Sequence, residues 1–217
     1  MASDYSLIQK PLSELIADEI KQWIWNKDLD YGERLLETNL AEKFDVSRST
    51  IREAFKILEG EELIISKARK GTYVATFTEK DLVEINELRT LLEARAFLQA
   101  LPKLEEKHFN DLEAIIERMK QGVKRKDWNE LFNLDMTFHR YLMDLSDNSR
   151  ILKIYDSLQV QIRTALMHLD EYYSSFDAFY QEHKELLDIL KTKDADKVKE
   201  SIINHIGYVE EKLLGSI

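Results

Sequence analysis

Residues 40–54 read Leu-Ala-Glu-Lys-Phe-Asp-Val-Ser-Arg-Ser-Thr-Ile-Arg-Glu-Ala. A short helix from Thr38 through Ala41 to Phe44 meets a tight turn at Asp45-Val46. Ser47 then stands where a hydroxyl can cap a second helix, running from Arg48 to about Glu59 and stopping at Gly60. Ile51, Ala54, Phe55 and Leu58 recur at spacings of three and four, which gives this helix one buried face. Arg48, Ser49, Thr50 and Arg52 lie on the other face. Upstream, Pro11 suits a first helical turn, and Leu12, Leu15, Ile16, Ile20, Trp23 and Ile24 form an apolar stripe. Asp28-Leu29-Asp30-Tyr31-Gly32 breaks it. Downstream, Leu63-Ile64-Ile65 and Thr72-Tyr73-Val74 flank Ser66–Gly71 and read as a small hairpin with a basic tip.

Helix, helix, turn, helix, hairpin is the layout of a winged helix-turn-helix, in which the second helix of the pair enters the major groove of DNA. Arg48 and Arg52 can donate in pairs to guanine or phosphate, and Ser49 and Thr50 can contact either. With Ser47 ahead of them and Lys70 in the hairpin tip, they form the expected DNA-facing set. Local charge agrees: residues 46–52 hold two Arg and no acid, and residues 63–78 hold three basic residues and no acid. Solvated surface arginines would explain the helix face alone, but not its combination with the turn spacing and the basic hairpin.

This first segment resembles the DNA-binding half of GntR-type bacterial transcription regulators. The resemblance is carried by Tyr-Gly-Glu-Arg-Leu at 31–35, Leu-Ala-Glu-Lys-Phe at 40–44, Val-Ser-Arg-Ser-Thr-Ile-Arg-Glu-Ala at 46–54 and Lys-Gly-Thr-Tyr-Val at 70–74. It implies operator contacts from Arg34, Arg48, Arg52 and Gly71. Tyr31 departs from the pattern, where the family usually has proline; that alters a loop and leaves the contact positions in place.

Composition bounds the rest. The chain has 217 residues, 44% of them apolar, and a formal charge of −10, which argues against sequence-blind binding to nucleic acid or anionic membranes. Six Gly and two Pro are too few for a loop-rich β-sandwich or a disordered linker protein. The absence of Cys removes disulfides and thiolate metal sites and fits a reducing cytoplasm. No apolar stretch approaches a membrane span, and the first residues lack the basic-then-apolar pattern of a secretory signal. Organisation changes near residue 77, so residues 1–77 are expected to form the DNA-binding domain and 78–217 a second domain. The fold class is mainly α: the winged helix-turn-helix followed by an all-α antiparallel bundle of about six helices. Their expected spans are 79–100, 105–124, 128–145, 149–170, 175–191 and 194–214, with breaks near Pro102, Lys126-Asp127, Asp147-Asn148, Tyr173-Ser174 and Asp194.

The residues that interrupt the apolar stripes of this bundle carry its chemistry. One stripe is Trp128, Leu131, Phe132, Asp135, Phe138, His139 and Leu142; another is Phe176, Phe179, Tyr180, His183, Leu186, Leu187 and Leu190. The last is Val198, Ile202, His205, Val209 and Leu213. Asp135 and His139, four apart, project from adjacent turns of one face. With His183 and His205 they make an N₃O set without sulfur, suited to Zn²⁺, Ni²⁺, Mn²⁺ or Fe²⁺. Packed, hydrogen-bonded core histidines are the alternative. His108 and His168, near helix ends, are expected at the surface. Arg89 falls on the stripe Leu82, Ile85, Arg89, Leu92, Ala96, and a buried guanidinium demands an anion. That anion is either Asp135 or Glu93, as an internal salt bridge, or the carboxylate of an effector beside the metal. Arg163, at a stripe edge, is a second effector candidate.

The second segment is similar to the helical effector domain of the FadR subfamily, the FCD domain, in its shorter VanR-type form. The resemblance implies that Asp135, His139, His183 and His205 are the metal ligands. It further implies a small organic acid bound beside the metal, a homodimer, a palindromic double-stranded operator and, most often, repression relieved by ligand. A metal sensor, in which the ion itself is the signal, and a metalloenzyme with a helical active site are the rivals. The enzyme reading lacks a use for the basic wing and a general base on the inward stripes.

Overall fold

The structure is a computed structural model and describes residues 10–168 and 175–214. The expected break at Tyr173-Ser174 and the side chains of His168, Val209 and Leu213 lie outside the described residues. The chain forms two compact units, residues 1–76 and 77–217.

The first unit holds α1 (Leu12–Trp25), α2 (Glu37–Phe44) and α3 (Arg48–Gly60) together with a three-stranded antiparallel sheet. Its strands are β1 (Arg34–Leu35), β2 (Ile64–Lys67) and β3 (Gly71–Val74), in the order β1-β3-β2. Asp45, left-handed at φ 52°, ends α2, and Ser47 Oγ accepts from Thr50 N at 3.2 Å to start α3. Ile51, Ala54, Phe55 and Leu58 are buried, as the periodicity predicts. Gly60 is the last residue of α3 rather than its stop signal, and Glu61 follows as the cap.

Three further details differ from the sequence expectation. Pro11 sits one position ahead of α1 as its cap, with its carbonyl accepting from Glu14 and Leu15. The buried face of α1 is also rotated. Ile16, Ile20 and Ile24 are inside, but Leu12 and Leu15 are 53% and 50% exposed, and Ser13, Ala17, Lys21 and Trp25 are buried instead. Lys21 is tolerated there because its ammonium reaches Glu61 at 2.6 Å and Asp18 at 3.3 Å. Strand β1 is an addition. Arg34 pairs with Tyr73 and Leu35 with Thr72, so the Gly-Glu-Arg-Leu segment is stitched to the wing.

The second unit is a bundle of α4 (Glu79–Ala100), α5 (Glu106–Arg125), α6 (Trp128–Leu145), α7 (Ser149–His168), α8 (Phe176–Lys191) and α9 (Ala195–Leu214), with a short 3-10 turn at Leu101–Lys103. The helix starts are written in side chains. Thr78 and Asp81 form a capping box on α4, Asp127 caps α6 and Ser175 caps α8. His108 accepts from Glu105 N at 3.0 Å and so closes the box that starts α5; it is half-buried and has this structural task. Helix α4 is central: it packs on α6, α7 and α9, while α5 covers α6 and α8.

Candidate functional site

In the first unit the DNA-facing candidates fall on one helix start and one wing. Arg48, Ser49 and Arg52 are exposed and Thr50 is half-buried. The hydroxyls of Ser47, Ser49 and Thr50 hydrogen-bond one another at 2.7 and 2.9 Å, so they hold the first turn of α3 as well as facing outward. Arg52 donates to Glu37 at 2.9 Å, an exposed pair that fixes the direction of its guanidinium. Lys70 is exposed at the wing turn, and its carbonyl accepts from Tyr73 Oη at 2.9 Å.

Gly71 has φ +110°, in the region that disfavours side chains, and the Arg34 guanidinium lies directly over it. A Cβ at Gly71 would stand 3.0 Å from Arg34 Nε and 3.1 Å from Nη2. Gly71→Ala should therefore cost about 1–3 kcal/mol of backbone strain and displace Arg34. Thermal melting reads the strain; an unchanged melting temperature would show that the wing relaxes around the methyl group.

In the second unit Asp135 and His139 from α6, His183 from α8 and His205 from α9 converge, with one ligand atom from each lying within 4.8 Å of all the others. Arg89 and Glu93 from α4 and Tyr155 from α7 surround them. Arg89, at 3% exposure, donates to Glu93 at 2.8 Å and to Asp135 at 3.0 Å. Of the partners the sequence left open, the structure uses both protein carboxylates. Glu93, which no inward-stripe argument assigned to the centre, also accepts from Tyr155 Oη at 2.9 Å and contacts His139 Nδ1. Its position one turn after Arg89 makes it a salt-bridge candidate from sequence; its contacts with Tyr155 and His139 come only from the packing of α4 on α6 and α7.

Burial opposes ionisation of Asp135, but Arg89 and the neighbouring histidines outweigh it and hold the carboxyl well below the usual carboxylate range. Glu93 is lowered for the same reasons, burial against Arg89 and His139. Burial, reinforced by His183 and His139, pushes His205 well below the ordinary histidine value, so it is neutral.

The hydrogen-bond pattern tests whether a cation fits. The Phe179 carbonyl can only accept, so His183 Nδ1, 2.8 Å away, donates, and in the neutral imidazole Nε2 is left with its lone pair. His139 Nδ1 faces the Glu93 carboxylate, which likewise turns the lone pair of Nε2 inward. His183 Nε2 is 2.9 Å and His139 Nε2 3.5 Å from Asp135 Oδ1, and the Nε2 atoms of His139 and His205 are 3.2 Å apart. With the imidazoles neutral, their lone pairs face one another and the Asp135 carboxylate, an arrangement that a central cation stabilises. Ligands at about 2.1 Å from one ion stand roughly 3.0–3.4 Å apart at adjacent positions, so the spacing suits a transition metal. Carboxylate and carbonyl partners on the outer histidine nitrogens are what metal sites use to orient imidazoles.

Arg163, the other effector candidate, is buried on α7 and donates to the amide oxygens of Asn129 and Asn133. Burial pulls its pKa down to about 10, with Asp135 opposing. A spare carboxylate is also present, contrary to the inward-stripe expectation: Glu182 stands 3.9 Å from His205 Nδ1, and burial pushes its pKa up to about 7.

Residues 12–74 match the family described as bacterial regulatory proteins, gntR family, and residues 84–208 match the FCD domain. The gluconate operon transcriptional repressor of Bacillus licheniformis is 32% identical over 203 residues, covering 91% of this chain and 83% of that protein. This chain belongs to the GntR family. It is a DNA-binding transcriptional regulator with an FCD domain. Among solved structures, a putative GntR regulator from Rhodococcus sp. RHA1 superimposes with a TM-score of 0.81 at 21% identity, over 94% of this chain and 98% of that one. E. coli McbR/YncC gives 0.78 at 21% identity, over 96% and 99%. These two support the fold. The relatives are regulators, so the metalloenzyme reading gives way to a regulatory one. Among the described residues no helix is long and apolar enough to cross a membrane.

Proposed function

We propose that this GntR-family regulator is a cytoplasmic repressor of the FadR subfamily, VanR-like group, whose hold on a palindromic operator changes when a small carboxylate binds beside a divalent metal. The observation that carries the reading is the convergence of Asp135, His139, His183 and His205, with the outer nitrogens of His139 and His183 already partnered by Glu93 and Phe179. Zn²⁺, Ni²⁺ or Mn²⁺ suits three imidazoles and one carboxylate. Four protein ligands leave positions on a six-coordinate ion for an acid. Arg89 and Arg163, buried and both coupled to Asp135, supply positive potential for it. The similar Bacillus licheniformis protein is a repressor of a gluconate operon, and gluconate is itself a small carboxylate.

Residues 1–77 form the DNA-binding domain in this reading. Arg34, Ser47, Arg48, Ser49, Thr50, Arg52, Lys70 and Gly71 meet the operator. Residues 78–217 bind metal and effector and form the homodimer. The dimer contact is the outer face of α4 and α7: Leu88, Leu91 and Ile154 are 46%, 70% and 52% exposed on two helices that pack together. Ligand binding then acts by linkage, favouring one dimer geometry and so one spacing of the two α3 helices.

His183→Ala should lower bound metal per chain by a large factor, measured by elemental analysis of the purified protein. Full occupancy in that variant would sink the site. Operator binding that depends on the metal and does not respond to simple carboxylates would make the ion itself the signal.

A further inference from the structure

Residues 118–126 read Arg-Met-Lys-Gln-Gly-Val-Lys-Arg-Lys, with five basic residues and no acid. They lie in a unit where 27 acidic residues stand against 20 basic ones. All five basic residues are exposed. The helix dipole accounts for part of this. Lys124 and Arg125 fill the last turn of α5 and Lys126 caps it, where cations stabilise the helix end. Arg118 stands about two turns earlier, beyond the reach of that effect. It has no carboxylate partner among the described residues.

Arg118 and Arg125 line a groove of about 440 Å³ between α5 and α6, together with Asn129 and Asn133. Two acids in its wall are already engaged. Asp127 accepts from Glu130 N at 3.0 Å, and Glu130 pairs with Arg125. One wall is built on a buried charge: Arg163, 5% exposed, donates to the side-chain oxygens of Asn129 and Asn133. A guanidinium cannot accept, so Asn133 gives it the oxygen and keeps its amino group for an occupant of the groove. The bond from a cation also polarises that amide and strengthens it as a donor. The groove therefore offers donors and an excess of positive charge, which calls for an anion. A carboxylate carries one charge, which Arg118 alone would balance. A phosphate dianion carries two. Its terminal oxygens can accept from Arg118 on one helix and Asn133 on the other, while Lys124 and Lys126 add positive potential.

We propose that the α5–α6 groove binds a phosphate dianion, free or as the monoester of a small metabolite, between Arg118 and the amide of Asn133. This site is separate from the metal-bound carboxylate, contains no metal ligand and does not rest on the metal reading.

The test is calorimetric titration of the full-length, metal-loaded protein with inorganic phosphate and D-glucose 6-phosphate, and with acetate as the carboxylate probe. Constant ionic strength and about pH 8, above the second phosphate pKa, keep the dianion. At least one phosphate probe should bind saturably. Arg118→Ala, a change at an exposed position, should weaken that binding about 10-fold or more, the loss of a hydrogen bond from a charged group. Asn133→Asp keeps an acceptor for Arg163 but replaces the donor with a negative charge. It should abolish phosphate binding without lowering the melting temperature. Acetate should behave alike in all three proteins. Tighter binding of the sugar phosphate assigns the groove to an ester, and equal binding assigns it to the free ion. No saturable binding of either phosphate probe overturns the proposal, and a loss of operator affinity in Arg118→Ala would then give the basic segment to nucleic acid. Phosphate binding that survives both substitutions overturns it too, as does acetate binding that both abolish. A protein that takes up no metal overturns only the metal reading, and the phosphate titrations still decide on the groove.

Discussion

Glu93→Ala should be the most damaging single substitution in the helical unit, lowering its stability by about 3–5 kcal/mol. Glu93 is fully buried and receives three donors: Arg89 Nε at 2.8 Å, Tyr155 Oη at 2.9 Å and His139 Nδ1. Alanine leaves all three without their acceptor and leaves the Arg89 charge balanced by Asp135 alone. Breaking a buried ion pair costs far more than the pair contributes, because the remaining charge stays desolvated. For a unit of this size the melting temperature should fall by roughly 10 °C. Tyr155→Phe removes one hydrogen bond and keeps the ions, so it should cost only about 1 kcal/mol. Metal affinity should also fall 10–100-fold in Glu93→Ala, since His139 loses the partner that orients it. A melting temperature within 2 °C of the parent, or equal effects of Glu93→Ala and Tyr155→Phe, would refute the account.

The sequence offers Glu93 only as a partner for Arg89, and the reason it says no more is geometric. Periodicity places a side chain on a helix face; it does not say which of several inward polar groups meet. Asp135, His139, His183 and His205 stood out because they interrupt apolar stripes with ligand chemistry, and the structure brings all four together. Glu93 neighbours Leu92 and Ala94 on a helix that touches α6, α7 and α9, so most of its faces are inward and no stripe singles it out. The same reasoning explains β1. Two residues, Arg34 and Leu35, carry no alternation, and only pairing with Tyr73 and Thr72 makes them a strand. The helix spans themselves were legible because their caps are chemical: Ser47, Thr78, Asp127 and Ser175 each accept from a backbone N–H three residues on. On α1 the stripe misled because Leu12 and Leu15 are apolar yet exposed, whereas Lys21 is charged yet buried against Glu61.

Arg48→Ala should cost operator affinity heavily while sparing the fold. Arg48 is exposed at the first position of α3, where a cation faces the positive end of the helix dipole. Its removal should therefore leave the melting temperature unchanged or slightly raised. A paired arginine contact to a base is worth about 1–3 kcal/mol, and a dimer on a palindrome loses it twice. The expected weakening runs from roughly 30-fold to more than 10³-fold on an operator selected by the parent protein from random sequence. The kind of contact separates in the salt dependence. Loss of a phosphate contact from each half-site lowers the slope of log affinity against log salt by about two, and loss of a base contact relaxes sequence preference instead. Arg52 differs because Glu37 already holds it at 2.9 Å. Arg52→Ala leaves that carboxylate facing the phosphates, so Glu37→Gln should recover part of the loss, whereas it should not rescue Arg48→Ala. The acidity of the whole chain makes these few arginines decisive. With a net charge of −10, non-specific attraction to DNA should be weak, and in the proposed interface the positive groups at the start of α3 and on the wing would supply the affinity locally. Unchanged operator affinity in Arg48→Ala would remove this residue from the interface and leave the wing to carry recognition.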